Sequence, residues 1–263
     1  MAGESLATLG KKGLELARFL GACGRLLTDF GYWFLVAPFR GYRLRGAETA
    51  RQMVRVGVHS VPIVFLVNFF VGVTLAITVA DILDEFGVTE YTSAAMGVGF
   101  WRELAPLLTG IIMAGFVGAS LAAEIGTMKV GEELMALEGM ALNPVRVLGV
   151  PRLVAVLVMV PMVTLLGTLF GIYGGFVVCT GLLHLTPTLF YDRMIDALTF
   201  KDIWVGGLKS VLFGCIVGLV GLAQGFQVRG GAEGVGRATT NAVVYSIILI
   251  ILGDCLLTVA FYF

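Results

Sequence analysis

The chain has 263 residues, of which 58% are hydrophobic and only 14% charged, and its mean hydropathy is +0.94. A soluble domain carries roughly 25% charged residues, so this deficit, with apolar runs longer than about 18 residues, predicts a polytopic membrane protein. The 18 basic and 18 acidic residues cancel, which gives no support to nucleic acid or any other strongly charged partner.

Taken in order, the chain opens on an amphipathic stretch. Leu6, Leu9, Gly13, Leu16, Leu20, Cys23 and Leu27 recur at steps of three and four, with Lys11, Glu15, Arg18, Arg25 and Asp29 on the other face. Such a helix is too polar to span and suits the membrane interface. Tyr32, Trp33 and Phe34 follow as interfacial anchors, and no cleavable signal peptide is expected in the first 30 residues. A basic run (Arg40, Arg43, Arg45, Arg51, Arg55) precedes the first predicted span, residues 57–80, which carries Asn68 and a bend at Pro62. An acidic connection (Asp81, Asp84, Glu85, Glu90) leads to a second apolar block at 94–123, interrupted by Arg102-Glu103 and Pro106.

The stretch 124–152 is the one long polar-bearing segment between two apolar blocks. Val130, Leu134, Leu137 and Ala141 lie at helical spacing while Lys129, Glu132 and Glu133 fall off that line. This predicts an amphipathic helix over about 125–142, stopped at Asn143-Pro144 because the residue before proline is driven out of the helical region. The third block, 147–183, exceeds one straight crossing and contains Pro151 and Pro161, so a tilted or broken helix is expected. Thr186-Pro187 opens a short amphipathic piece with Phe190, Met194 and Leu198 against Asp192, Asp196 and Asp202. The fourth span is predicted at 204–226. A glycine-rich turn at 229–241, ended by a Thr240 or Asn241 cap, precedes the fifth at 242–263. With the N-terminus inside, 14 of the 18 Lys and Arg residues fall on the cytoplasmic side, the asymmetry that sets orientation.

Small residues recur along the spans: Gly110, Ala114 and Gly118; Gly167, Gly171 and Gly175; Gly214 and Gly218; Gly221 and Gly225. They serve either packing within the chain or a subunit interface. Arg102-Glu103 is either a self-neutralised pair near the outer interface or the polar lining of a cavity that meets a phosphate or zwitterionic headgroup. Asp254 and Asn68 are read as structural hydrogen-bonding residues. No catalytic residue or metal site is expected. Gly118-Ala119-Ser120-Leu121 lacks the final glycine of a nucleophile loop, and His59 and His184 have no carboxylates at useful spacing. Cys23, Cys179, Cys215 and Cys255 are scattered small apolar residues. Gly206-Gly207-Leu208-Lys209-Ser210 approximates the tail of a phosphate loop, but Leu208 breaks its core and an apolar span follows. The chain is therefore not expected to hydrolyse ATP.

Two long segments carry a family resemblance: AAEIGTMKVGEELMALEGMALNPVRVLGVPR and QGFQVRGGAEGVGRATTNAVV, supported by FFVGVTLA in the first span and WRELAP in the second. They resemble the hallmark segments of MlaE (YrbE) permeases, the membrane subunits of Mce-type lipid ABC transporters, along nearly the whole chain. The resemblance implies an all-α permease: one domain over 1–263, with an interfacial N-terminal region (1–56), a five-span core (57–263) and a cytoplasmic coupling helix. It further implies a multi-pass homodimer in the bacterial inner membrane, with cytoplasmic ABC ATPase subunits that bind the ATP and a periplasmic Mce-domain substrate-binding protein. The cargo would be phospholipid, moved between inner and outer membranes, and no cofactor belongs to the permease itself. Lipid would meet Leu75, Ile82, Leu83 and Phe86, with Arg102 and Glu103 near the headgroup. The ATPase would meet Lys129, Glu132, Glu133, Leu134, Leu137 and Glu138. Where the family often has a Gln-Gly pair beyond the first span's glycine, this chain has Val79-Ala80-Asp81. An intramembrane lipid-modifying enzyme using Glu103 or Asp254, and an ion-coupled secondary transporter, are the alternatives from other classes.

Overall fold

The computed structural model describes residues 46–263 and, ahead of them, residues 21, 24 and 26–32. Most of the predicted N-terminal amphipathic helix, with Trp33, Phe34, Arg40, Arg43 and Arg45, lies outside the described residues. Among the described residues, five helices are long and apolar enough to cross a membrane: α1 (Gly46–Asp84), α2 (Thr89–Val130), α4 (Val145–Gly181), α6 (Phe200–Gln227) and α7 (Gly231–Tyr262). Two short helices join them, α3 (Glu133–Gly139) between α2 and α4, and α5 (Pro187–Ala197) between α4 and α6. At 1.5 Å per residue the 42-residue α2 is about 60 Å long, twice the hydrocarbon thickness. The helices therefore project well past the apolar runs that announced them. The molecule has two ends, one carrying α3 and the other α5.

The interior is built from α2, α4 and α6. α1 lies mainly along α4, and α7 lies along α6 and α2. Burial follows this order: half of the most apolar window of α2 and of α6 is buried, against 28% for α1 and 17% for α7. The central core joins Val64, Met113, Val117, Val156, Val160, Phe213, Val217 and Ile250. A second cluster near the α5 end holds Ala76, Met96, Phe100, Ile172 and Phe190. At the α3 end, Leu26 and Phe30 of the described N-terminal stretch pack on Ile125, Leu153 and Leu222. In lipid there is no water-driven gain from joining helices, so tight backbone approach matters more. A Cβ on Gly72 would stand 2.1 Å from the carbonyl oxygen of Gly171, so α1 and α4 touch backbone to backbone. The small-residue stripes are spent on such internal contacts, as with Gly110 against Phe213 and Gly225 against Ile125.

Prolines mark the irregular turns. A 3-10 turn at Val58–Ser60 precedes Pro62, whose missing N–H frees a carbonyl one turn back. π-turns at Phe100–Leu104 and Val145–Gly149 precede Pro106 and Pro151, and a third lies at Ala114–Gly118. Despite Pro161, α4 continues unbroken to Gly181. The predicted short helix after Thr186-Pro187 is present, with Phe190 and Met194 buried and the Thr186 hydroxyl accepting from the Leu189 amide.

Two local expectations are corrected. The glycine-rich segment is not a turn as far as Asn241. The turn is confined to Gly230 and Gly231, with φ of 89° and 70°, and α7 starts at Gly231. The Thr239 and Thr240 hydroxyls bond back to the Gly236 carbonyl inside the helix instead of capping it. The amphipathic segment is likewise not one helix. α2 ends at Val130, and Glu132 adopts a left-handed backbone (φ 60°) that resets the chain before α3. α3 has already ended at Gly139, and Ala141 is left-handed too (φ 58°). Asn143 does not stop it. Its side-chain oxygen accepts from the amides of Val145 and Arg146 and so caps the start of α4.

Candidate functional site

The π-turn Phe100–Leu104 carries Arg102 and Glu103 toward α6 and α7. The two are not a self-neutralised pair, because each finds its partner on another helix. Arg102 donates from Nε and Nη2 to Asp202 Oδ1 at 2.9 and 2.7 Å, and its guanidinium lies 4.0 Å above the ring of Tyr262. Tyr262 donates to the same oxygen at 2.8 Å, while Asp202 Oδ2 accepts the Thr199 hydroxyl and amide. Asp202 thus caps α6 and binds α2 and α7 at once, which is why it is buried. Two turns further along α6, the fully buried Lys209 ammonium is paired with Glu103, stands 2.9 Å from Asp254 Oδ1, and donates to Thr258 Oγ1 at 2.7 Å. The Thr258 hydroxyl in turn donates to Glu103 Oε1 at 2.9 Å. Two cations and three carboxylates thus form one knot linking α2, α6 and α7. A charge in hydrocarbon is tolerated only with such partners. Glu103 and Asp254, the carboxylates an enzyme would need, are both held by Lys209.

The remaining residues expected to meet lipid stand apart from this knot. Leu75 packs against the cluster containing Phe100, Leu83 is half-buried, and Ile82 and Phe86 are exposed at the far end of α1. Their apolar surface lies on α1 and the turn after it, whereas the polar ends of Arg102 and Glu103 turn toward α6 and α7. Asn68 is buried and donates to the Val64 carbonyl, the structural role expected of it.

At the α3 end, Glu124 of α2 accepts from Arg55 of α1 (2.7 Å) and from Arg152 of α4 (3.4 Å), tying three spans together. The Lys129 ammonium donates to the carbonyl of Phe226, at the C-terminus of α6, where a cation meets the negative end of the helix. α3 hangs below this junction. Leu134 is its buried anchor and Leu137 is half-buried, while Glu132, Glu133 and Glu138 are exposed alongside Met135 and Met140. Of the residues predicted to meet an ATPase, five sit on this tip or in its turn, and Lys129 is committed to α6.

Sequence reasoning missed Asp202, Lys209, Thr258, Tyr262 and the Arg55–Glu124–Arg152 junction. A signal did exist for part of it: Asp254, Thr258 and Tyr262 recur every fourth residue and form a polar stripe on an otherwise apolar helix. A lysine inside an apolar span likewise demands a counter-ion. Among the described residues, no group of three or more His, Cys, Asp or Glu stands close enough to hold a metal ion.

A bundle of five crossing helices with buried ion knots and a helical tip between two spans defines a multi-pass membrane transport subunit. The family assignment is specific: the Permease MlaE profile matches residues 49–260, and the chain belongs to that family. It is 37% identical over 216 residues to a probable ABC transporter permease protein of Synechocystis sp., covering 82% of each chain. It is 29% identical over 256 residues to the intermembrane phospholipid transport system permease protein MlaE of Haemophilus influenzae, covering 92% of this chain and 97% of that one. The chloroplastic protein TRIGALACTOSYLDIACYLGLYCEROL 1 of Arabidopsis thaliana is 30% identical over 220 residues, covering 84% of this chain and 63% of that one.

Proposed function

We propose that this chain is the permease subunit of an ATP-driven transporter that moves phospholipid between the inner and outer membranes of a bacterial envelope. It works as a homodimer in the inner membrane, with the α3 end in the cytoplasm and the α5 end in the periplasm. A separate ABC ATPase, which binds the ATP, docks on α3, and a periplasmic Mce-domain protein receives or delivers lipid at the other end. The observation that carries this reading is the mounting of α3. A seven-residue helix with exposed carboxylates and methionines is joined directly to α2. α2 is tied to α1 and α4 through Glu124 and to α6 through Lys129. A partner that displaces α3 therefore displaces four spans together. At the other end, Glu103 and Arg102 keep side chains that are 29% and 34% exposed, enough to touch a headgroup without leaving their counter-ions. Two copies would set the apolar surface of Ile82 and Phe86 against a shared space above these charges.

Charge reversal on the tip tests the proposal. Glu132→Lys combined with Glu133→Lys should abolish co-purification of the ATPase and ATP-dependent lipid transfer while leaving the permease folded in membranes. Normal complex yield with normal transfer would refute the docking assignment. Lipid-derived product formed by the isolated chain would favour the enzyme alternative instead.

A further inference from the structure

A groove of about 280 Å³ separates α1 from α2 at the α3 end, far from the Lys209 knot, and is lined by residues of those two helices only. Its composition is graded along its length. Gln52, Arg55, Ser120 and Glu124 make the end nearest α3, and Phe116, Val117 and Val56 make the wall that runs toward the membrane centre. His59 sits on the deeper part of the α1 side, and the exposed Ile63 and Leu66 follow it at helical spacing. This polar-to-apolar order matches the boundary between headgroups and acyl chains. At roughly 30 Å³ per water, the groove volume equals about nine waters, room for a phosphoglycerol unit with its chains trailing along α1.

The electrostatics call for an anion. Among the described residues, Arg55 and Arg152 share a single carboxylate, Glu124, so the junction they form carries one positive charge in excess. Arg152 is buried, and it spends Nη1 on the Leu148 carbonyl. Glu48 is turned to Gln52 and Arg51 and does not offset the excess at the groove. Arg55 is the accessible member, with its side chain 48% exposed. It gives Nη1 to Glu124 and Nη2 to Ser120, which engages two of the five N–H donors of a guanidinium. The remaining donors suit a phosphate, two of whose oxygens can accept from the planar guanidinium fork.

We infer that this groove binds the phosphate of an anionic phospholipid from the leaflet on the α3 side, with one acyl chain following Phe116 and the exposed face of α1. The site is an entry or exit station in the opposite leaflet from Arg102 and Glu103, and it rests on the phospholipid reading given above. Because Glu124 also anchors α1 and α4 to the helix that bears α3, a phosphate on the remaining donors of Arg55 shares the guanidinium charge with Glu124 and weakens that ion pair. Occupancy thereby loosens the junction that α3 moves.

The test uses the full-length chain in its native complex, in nanodiscs of phosphatidylglycerol or of phosphatidylcholine, with p-benzoylphenylalanine incorporated at position 116. Photocrosslinking without ATP should give a lipid adduct about ten-fold more abundant with phosphatidylglycerol. Arg55→Gln should reduce it to the phosphatidylcholine level, and Arg55→Lys should restore most of it by returning the cation. Equal adducts from both lipids, or indifference to Arg55→Gln, would make the groove ordinary lipid-facing surface and overturn the inference. Loss of the adduct on adding excess inorganic phosphate would reassign the site to a soluble anion, and crosslinking to polypeptide would reassign it to a second copy. The readout is occupancy rather than transport. Intact lipid transfer with no specific adduct defeats only this site, whereas a specific adduct in a complex that transfers no lipid defeats only the proposed function.

Discussion

The two ends of the bundle solve the same problem, joining helices by charge, in opposite ways. At the α5 end one member of each ion pair is sunk among three helices, with Lys209 fully buried and Asp202 nearly so. At the α3 end Glu124 sits between one exposed and one buried arginine, in reach of water. The first arrangement cannot be opened without stranding charge in hydrocarbon, so it holds α2, α6 and α7 in register. The second can exchange partners cheaply, which suits the end proposed to receive motion from an external subunit. Rigidity and adjustability are therefore separated along the membrane normal.

Lys209→Ala breaks this contrast most severely. It leaves Glu103 and Asp254 facing each other without a cation, and loss of one partner of a buried pair costs about 3–5 kcal/mol. Thermal unfolding in detergent should show that loss, and adding Glu103→Gln and Asp254→Asn should recover much of it. A destabilised triple variant would show that Lys209 matters for packing and not for charge. Arg102→Ala should cost more than Glu124→Gln and less than Lys209→Ala, since it leaves the buried Asp202 without its cation but still held by Thr199 and Tyr262. It should lower lipid retained through purification several-fold, as counted by native mass spectrometry. Glu124→Gln, at the opposite end, should cost only about 1 kcal/mol because Arg55 is half-exposed and the buried Arg152 keeps its bond to the Leu148 carbonyl, with the difference from Lys209→Ala visible in the same assay. Equal losses at the two ends would erase the distinction. Stability should respond least to Glu132→Lys with Glu133→Lys, within about 0.5 kcal/mol as for exposed positions generally, although ATPase association should be lost. That dissociation of stability from coupling sharpens the assignment of α3 as a contact tip.

The five crossings were legible because lipid imposes a uniform demand: every backbone group is satisfied within its own helix, and the outward side chains are apolar. Pro187 after Thr186 likewise declared a helix start through local chemistry alone. The charged tip was legible as a polar interval between apolar blocks. Its break was not, because Gly131-Glu132 follows helical periodicity while its backbone departs from it. The segment after Arg229 deceived in the other direction. Its glycines read as a flexible turn, yet Gly234 is needed so that α7 can begin hard against the Arg229 carbonyl, 1.9 Å from where a Cβ would stand.

By itself, then, the amino-acid order determined the class of protein, the number of crossings, the family and the location of the exposed tip, since each depends on composition within a window or on an uninterrupted motif. Which charge neutralises which was decided only by the tertiary structure. Arg102 turned away from its neighbour Glu103 to meet Asp202, 100 residues on, and Glu103 met Thr258, 155 residues on. Adjacent residues on a helix point in different directions, so a pair side by side in the chain was the least able to neutralise itself. The packing of α6 and α7 against the π-turn of α2 chose the partners instead.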